Sequence, residues 1–305
     1  LSRLLLLCAL MGFWVGCRET PADHLQRARD AVFEKRPDEA LVEYRKAFDL
    51  LRRDESAPAL VLRARALKGA GDVYWLEQRK VKEAVSVYKE LVQQCPESPE
   101  ALEARIILAE LLRMHYRDLR GAIDQLAAAL QRNPPQGAEL QYQVAKLYFE
   151  LGDYAQCELE ARKLGERFAT SAFVDDAVFL QAQAVHMMEG RRQEASRIYA
   201  DLRSRFPDSE LAPHALVEMG KIRAEAGENE KAIELWVEAL KTHPDPNLVQ
   251  DYISRARRRI TETTPEAVGQ KAVAFDHGKA PARPPRNSVE AVGGSADEAA
   301  RDHGD

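Results

Sequence analysis

The sequence predicts an all-α protein, an array of about six helix hairpins followed by a C-terminal capping helix. The first observation behind this is a recurring trio: a small residue, a large apolar or aromatic residue four positions on, and another apolar residue three further. The trios are Ala40/Tyr44/Ala47, Ala84/Tyr88/Leu91, Ala122/Leu126/Ala129, Cys157/Ala161/Leu164, Ala195/Tyr199/Leu202 and Ala232/Trp236/Ala239. Their small residues lie 44, 38, 35, 38 and 37 positions apart, a period that marks a repeat architecture. The second observation is the step size. Steps of four and three put each trio on one helix face, where the small residue admits a neighbouring helix and the large one fills the space beside it. Third, glycines and prolines fall between the periodic segments and punctuate them.

Before the array, Leu4 to Val15 form a twelve-residue apolar run after the single cation Arg3. A bilayer-spanning helix needs about 20 apolar residues, so this run suits the apolar region of an export signal. It ends at Val15-Gly16-Cys17, followed by the polar "RETPAD". That junction resembles a bacterial lipobox, in which signal peptidase cuts before an acylated cysteine; Trp14 departs from the aliphatic residue usual there. The resemblance implies a signal peptide over 1–16, lipidation of Cys17 and a lipid-anchored linker over 17–23. Each buried CH₂ of the acyl chains contributes about 0.8 kcal/mol to membrane attachment.

Within the array, expected over 24–246, each trio marks the second helix of a hairpin. "LQYQVAKLYFEL" before "GDYAQCELEARKL" and "ALVEMGKIRAEA" before "GENEKAIELWVEAL" show the first helices. Gly152, Gly190 and Gly227 fall between the two, where a residue tolerating positive φ reverses the chain. Gly71 and Gly220 fall inside first helices and suit close packing. Ser98, Ser171 and Ser209 are expected as helix N-caps, with Pro99 at the first helical position, and Asp245 as the cap of the last helix. Pro96, Pro134, Pro207 and Pro244 end the preceding helices. The pattern also has departures. The first unit lacks the turn glycine and closing proline, the fourth has Ala161 in place of a large residue, and "EQRKVKEA" and "MHYRDLRGA" each carry an extra residue.

After the array, residues 247–261 read as a helix with Leu248, Tyr252 and Ile253 on one side and "RARRR" at its end. A polar-faced terminal helix would cover the last exposed repeat; a basic patch for anionic lipid or an acidic partner is the alternative. The segment 262–305 is rich in Ala, Pro, Gly and charge, with Phe275 its only aromatic residue, and is expected to be a disordered tail.

Composition narrows the functional classes. The 305 residues are 45% hydrophobic and carry a net charge of −5 with both signs interspersed, so no broad basic face is set up for nucleic acid. The four cysteines form no CxxC pair, and Cys95 and Cys157 stand 62 positions apart, which indicates neither a zinc site nor a disulfide framework. Cys157, in the small-residue place of its hairpin, is expected as a buried thiol. GxSxG, HExxH, a phosphate-binding glycine loop and a calcium loop are all missing from the sequence. His186, Met187 and Met188 are consecutive on a helix and point apart, so they do not suggest a metal site. The chain is therefore read as a non-enzyme without cofactor or metal.

The trios, the "GDY" turn at Gly152 to Tyr154 and the closing prolines resemble tetratricopeptide repeats. Six such units imply a right-handed superhelical solenoid. The period and the "FPDS" and "CPESP" junctions are similar to an exported bacterial subgroup, which includes the D lipoprotein of the outer-membrane β-barrel assembly machinery and the tetratricopeptide partner of the Tol–Pal system.

In this family the first helices line a concave side that holds extended peptides or partner helices. Phased by the trios, the groove candidates are Lys68, Asp72 and Trp75, then Tyr142, Lys146 and Phe149, then Met187 and Lys221. A lysine between two aromatics one helical period apart could grip an apolar side chain and a carboxylate together; alternatively Trp75 and Phe149 pack between repeats. The resulting expectation is a scaffold tethered to the bacterial envelope membrane, facing the periplasm and more readily the outer membrane than the inner. Its partner is another envelope protein or peptide segment, in outer-membrane protein assembly. The alternatives are an accessory that recruits or activates a cell-wall or polysaccharide enzyme, and an enzyme with an unfamiliar site.

Overall fold

The structure is a computed structural model and describes residues 19–263. The expected export signal and Cys17 lie outside the described residues, as does the expected tail from residue 264 onward, while residues 262 and 263, also expected in the tail, end the last helix. The described residues form thirteen α-helices and no strand.

Twelve of the helices pair as six hairpins. They are α1 (Pro21–Phe33) with α2 (Pro37–Leu51), α3 (Ala57–Asp72) with α4 (Val81–Gln94), and α5 (Pro99–Leu111) with α6 (Leu119–Leu130). The series continues with α7 (Gly137–Leu151) and α8 (Tyr154–Arg167), α9 (Val174–Met187) and α10 (Arg192–Arg205), and α11 (Leu211–Glu225) and α12 (Asn229–Ala239). The last helix is α13 (Pro246–Thr263). Each second helix packs against the first helix of its own hairpin and against that of the next, and every trio residue is buried. Leu91, Leu164 and Leu202 are fully enclosed, and burial of such a side chain stabilises the fold by roughly 1.5–3 kcal/mol.

Helix ends follow local chemistry, with some differences from expectation. Thr20 accepts from the Asp23 N–H while Asp23 accepts from the Thr20 N–H, a capping box with Pro21 at the first helical position. Residues 21–23, expected in the linker, are therefore the first turn of α1. Ser98 Oγ caps α5 through the Ala101 N–H at 3.0 Å, and Asp245 caps α13 through the Leu248 N–H at 3.0 Å. Ser171 and Ser209 are not N-caps. Each accepts from the N–H two residues on, at 3.2 and 3.1 Å, and so forms a short turn ahead of α9 or α11, whose cap positions are Phe173 and Glu210. Asp118 and Asp153 cap α6 and α8, at 2.9 and 3.1 Å.

The extra residue in the second and third units is taken up by π-helical turns, Val73–Glu77 extending α3 and Leu112–Tyr116 extending α5. A single π turn is the usual way a helix accommodates an insertion. Reversal then needs a left-handed residue. Gly152, Gly190 and Gly227 supply it in the last three hairpins (φ 80, 76 and 81°), whereas Lys35, Arg79 and Arg117 supply it in the first three (φ 58, 56 and 53°). Close packing uses glycine inside first helices: a Cβ on Gly71 would overlap the Tyr88 ring, and one on Gly220 the Trp236 indole.

Candidate functional site

The first helices pack side by side in two runs: α1 on α3 and α3 on α5, then α7 on α9 and α9 on α11. Between α5 and α7 the approach is wider, and a cavity of about 320 Å³ opens there. Its walls are Ile106, Glu110 and Arg113 from α5 and its π turn, and Gln143, Lys146 and Glu150 from α7. Each set falls on one stripe of its helix, at spacings of three and four. Arg113 reaches across to Glu150 at 3.2 Å, while Lys146 forms no salt bridge and is exposed. A second cavity, of about 310 Å³, lies along α1, α3 and α5 and is lined by Arg29, Arg65, Lys68, Asp72 and Glu100.

The expected groove residues separate into distinct environments. Lys68 and Asp72 come together in the second cavity, with Nζ 2.8 Å from both Asp72 oxygens and 3.4 Å from Glu103. Asp72 also accepts from the Tyr88 hydroxyl at 2.7 Å. Burial and then the Asp72 carboxylate hold the Tyr88 phenol well above its ordinary range, so Tyr88 serves as a donor.

Trp75 does not join that pair. It sits in the π turn, edge-on to His115 at 5.6 Å between ring centres, with the Arg79 guanidinium 5.7 Å above it. Tyr142 is half-buried, tilted against Phe173 of the next hairpin at 5.9 Å, with the Lys146 ammonium 5.6 Å over its ring. Burial, with Asp176 and Asp175 alongside, pushes the Tyr142 phenol up to about 12. Burial likewise raises the Asp176 carboxyl, helped by Asp175 and opposed by Lys146. Phe149 turns into its own hairpin, edge-on to Tyr154 at 5.3 Å. Both aromatics of the anticipated grip are thus held in packing, and Lys146 alone is left exposed between them.

Met187 ends α9, 56% exposed, at a hairpin turn. Lys221 is half-buried, 2.7 Å from Glu218 and 5.2 Å over the Tyr252 ring. Burial acts to lower its pKa, but the Glu218 hydrogen bond and charge outweigh that and leave it raised. The polar lining residues that the sequence did not single out are Glu110, Arg113, Gln143 and Glu150. All four follow from the spacing around Lys146: Gln143 and Glu150 share its stripe on α7, and Glu110 and Arg113 repeat the same spacing on α5.

Among the described residues no group of three or more His, Cys, Asp or Glu is placed to hold a metal ion. Cys95 and Cys157 are free, buried thiols, both with pKa raised by burial. No described helix is long and apolar enough to cross a membrane.

Residues 25–99 match the tetratricopeptide repeat family model. No curated protein matches the chain in sequence. Among solved structures, the fold is similar to the C-terminal part of a tetratricopeptide repeat-containing protein from Cytophaga hutchinsonii. That match has a TM-score of 0.56 at 14% identity and covers 77% of this chain and 88% of that one. A chain of the Naa15/Naa10 complex bound to HypK-THB is similar at a TM-score of 0.53 and 17% identity, over 85% of this chain and 36% of its own. A tetratricopeptide repeat protein from Parabacteroides merdae matches at a TM-score of 0.45 and 17% identity, over 78% of this chain and 98% of its own. At these identities the likeness is one of fold, and the fold is the all-α tetratricopeptide type.

Proposed function

We propose that the chain is a non-catalytic scaffold that binds an extended peptide or partner helix on its first-helix face, at the cavity between α5 and α7. The observation that carries this is the opening itself. Two otherwise continuous stretches of first helices part there, and the gap is lined by an unpaired ammonium (Lys146), an amide (Gln143) and a carboxylate (Glu110) around an apolar floor of Ile106 and Ala109. Such a lining offers donors and acceptors to a peptide backbone and an apolar seat for one side chain. Tetratricopeptide arrays serve as protein-binding scaffolds, and solenoids of this type present long binding surfaces.

The proposed setting is the bacterial cell envelope, with the array held to a membrane, the outer one in preference, through acylated Cys17 and facing the periplasm. Tethering confines the scaffold to a surface and raises the effective concentration of a partner held there. Assembly of outer-membrane proteins is the process we assign to it, on the strength of the "FPDS" and "CPESP" junctions and the lipobox-like "VGC".

Photocrosslinking amino acids at Gln143 and Glu110 in intact cells test the site, with Arg162, exposed on α8, as the second-helix control. A specific envelope protein captured at Gln143 and Glu110 is expected. Capture at Arg162 alone would place the binding face elsewhere. Labelling with a radioactive fatty acid tests the tether separately: Cys17→Ala should lose the label, and equal labelling of both forms would sink the anchor.

A further inference from the structure

The first three hairpin turns carry a feature that peptide binding on the first-helix face does not use. Of the ten exposed large apolar side chains among the described residues, five sit at hairpin turns: Phe33, Leu76, Met114, Tyr116 and Met187, at 89, 54, 60, 47 and 56% exposure. The four in the first three hairpins lie on one edge. Gln78 donates to Asp38 at 2.8 Å and Lys35 lies 3.3 Å from Glu77, which joins the first turn to the second. Trp75 against His115 at 5.6 Å joins the second to the third. The π turns create much of this edge, because they extend α3 and α5 by a turn and carry Leu76, Met114 and Tyr116 outward.

The second and third of these turns also carry cations that form no ion pair, whereas the cations of the first, Lys35 and Arg36, are paired with Glu77 and with Glu34 and Glu39. Arg79, Lys80, Lys82, Arg117 and Arg120 are exposed and form no salt bridge. Lys80, Lys82 and Arg120 stand at the N-terminal ends of α4 and α6, where the helix dipole disfavours positive charge. The chain as a whole is acidic, at −5, whereas residues 73–83 and 112–121 together carry six Lys or Arg against three Asp or Glu, a local reversal of sign next to Leu76, Met114 and Tyr116. Long cationic side chains around exposed Leu, Met and Tyr, with Phe33 protruding from the adjoining turn, match the two layers of a bilayer interface: apolar tips enter the acyl boundary while the cations meet anionic headgroups.

We propose that this turn edge docks on an anionic lipid bilayer surface. It lies at the far end of α1 from Pro21, about 20 Å away for a thirteen-residue helix. It shares the Leu112–Tyr116 turn with the peptide site, whose wall includes Arg113, but uses other side chains of that turn, Met114 and Tyr116.

The test uses the chain from Arg18 to Asp305, which keeps every described helix and lacks both the acyl site and the apolar leader. It is mixed with phosphatidylglycerol/phosphatidylcholine vesicles or with phosphatidylcholine alone. Co-sedimentation with the anionic vesicles only is expected, weakened by salt. Emission from Trp75 should shift to the blue, while Trp236, buried at 3% exposure, stays constant. Arg79→Glu/Lys80→Glu/Arg117→Glu should weaken binding more than 100-fold, at roughly fivefold for each cation lost. Phe33→Ser/Met114→Ser should weaken it on the order of tenfold or more. Circular dichroism of each variant confirms folding; these side chains are exposed, so the helices should be retained. Equal binding to both vesicle types, or binding indifferent to the edge substitutions, overturns the proposal. So does an edge that ignores lipid and is instead crosslinked to a protein from position 114. None of these results bears on capture at Gln143.

Discussion

The Tyr88 hydroxyl donates to Asp72 Oδ1 at 2.7 Å, whereas Tyr199, at the same place in the fifth hairpin, buries its hydroxyl without any partner. One tyrosine position of the repeat thus has two energetic characters. Tyr88→Phe should destabilise the array by about 1.5–3 kcal/mol, because a hydrogen bond to a charged group is lost. Tyr199→Phe should be neutral or stabilise by up to about 1 kcal/mol, because it removes a buried group that bonds to nothing. Urea unfolding followed by circular dichroism measures both, and losses of equal size would contradict the assignment.

Glycine inside a helix has opposite consequences at two positions. A Cβ at Gly71 overlaps the Tyr88 ring, while at Gly165 in α8 nothing lies within 4 Å. Gly71→Ala is expected to cost about 1–3 kcal/mol by overpacking. Gly165→Ala should gain roughly 0.5–1 kcal/mol from restricted unfolded-chain entropy. Since a repeat array can unfold in parts, residue-resolved hydrogen exchange is the suitable measurement, and the Gly71→Ala effect should centre on α3 and α4.

Arg117 holds φ at 53° with no salt bridge to compensate. A left-handed residue with a Cβ costs about 1–2 kcal/mol, and glycine removes that cost while adding freedom to the unfolded chain. Arg117→Gly should therefore stabilise the third hairpin by a net of about 0.5–1 kcal/mol, seen as slower exchange in α5 and α6. Gly152→Ala, at φ 80°, should do the reverse in the fourth hairpin.

A pH dependence follows from the histidine pair where the sixth hairpin meets the cap of α13. His243 Nδ1 accepts from the Asp245 N–H at 3.0 Å, so its proton is assigned to Nε2, which donates to His214 Nδ1 at 3.1 Å. Burial, and then His243, lower the His214 pKa from 6.5, against an opposing pull from Glu218. Because the folded pKa lies below the unfolded one, the unfolded chain binds more protons between the two values. This contribution to stability is whole above about pH 6.5 and is lost as pH falls from there toward the folded pKa. Unfolding of the last hairpin, followed by Trp236 fluorescence, should occur at a lower temperature at pH 5.5 than at pH 7.5. His214→Gln should shrink that difference, and an unchanged difference would remove the pair as its cause.

Much of the fold was legible in the residues. All six trios are buried, and the glycines expected to reverse the chain do so with positive φ at 152, 190 and 227. The units without such a glycine also follow the pattern, since Lys35, Arg79 and Arg117 take the same conformation; nothing in their chemistry announces it, because the closing hairpin imposes that φ. The candidate site was less legible. Phasing placed Tyr142, Lys146 and Phe149 on a first helix, but their partners, Phe173 on α9 and Tyr154 on α8, depend on how far apart the helices stand.

The sequence by itself determined the number of hairpins, their order and which helix face is buried. These are local properties: a period of 3.6 residues and a small residue every four-and-three steps leave one face apolar wherever the chain goes. Only the tertiary structure decided that the extra residues at "EQRKVKEA" and "MHYRDLRGA" become π turns, that α5 and α7 part to open a cavity, and that Trp75 meets His115 edge-on at the hairpin edge, away from Lys68 and Asp72. Those outcomes are set by distances between helices remote in sequence. A side chain's burial depends on the neighbour it meets, and a single chain's periodicity carries no record of that distance.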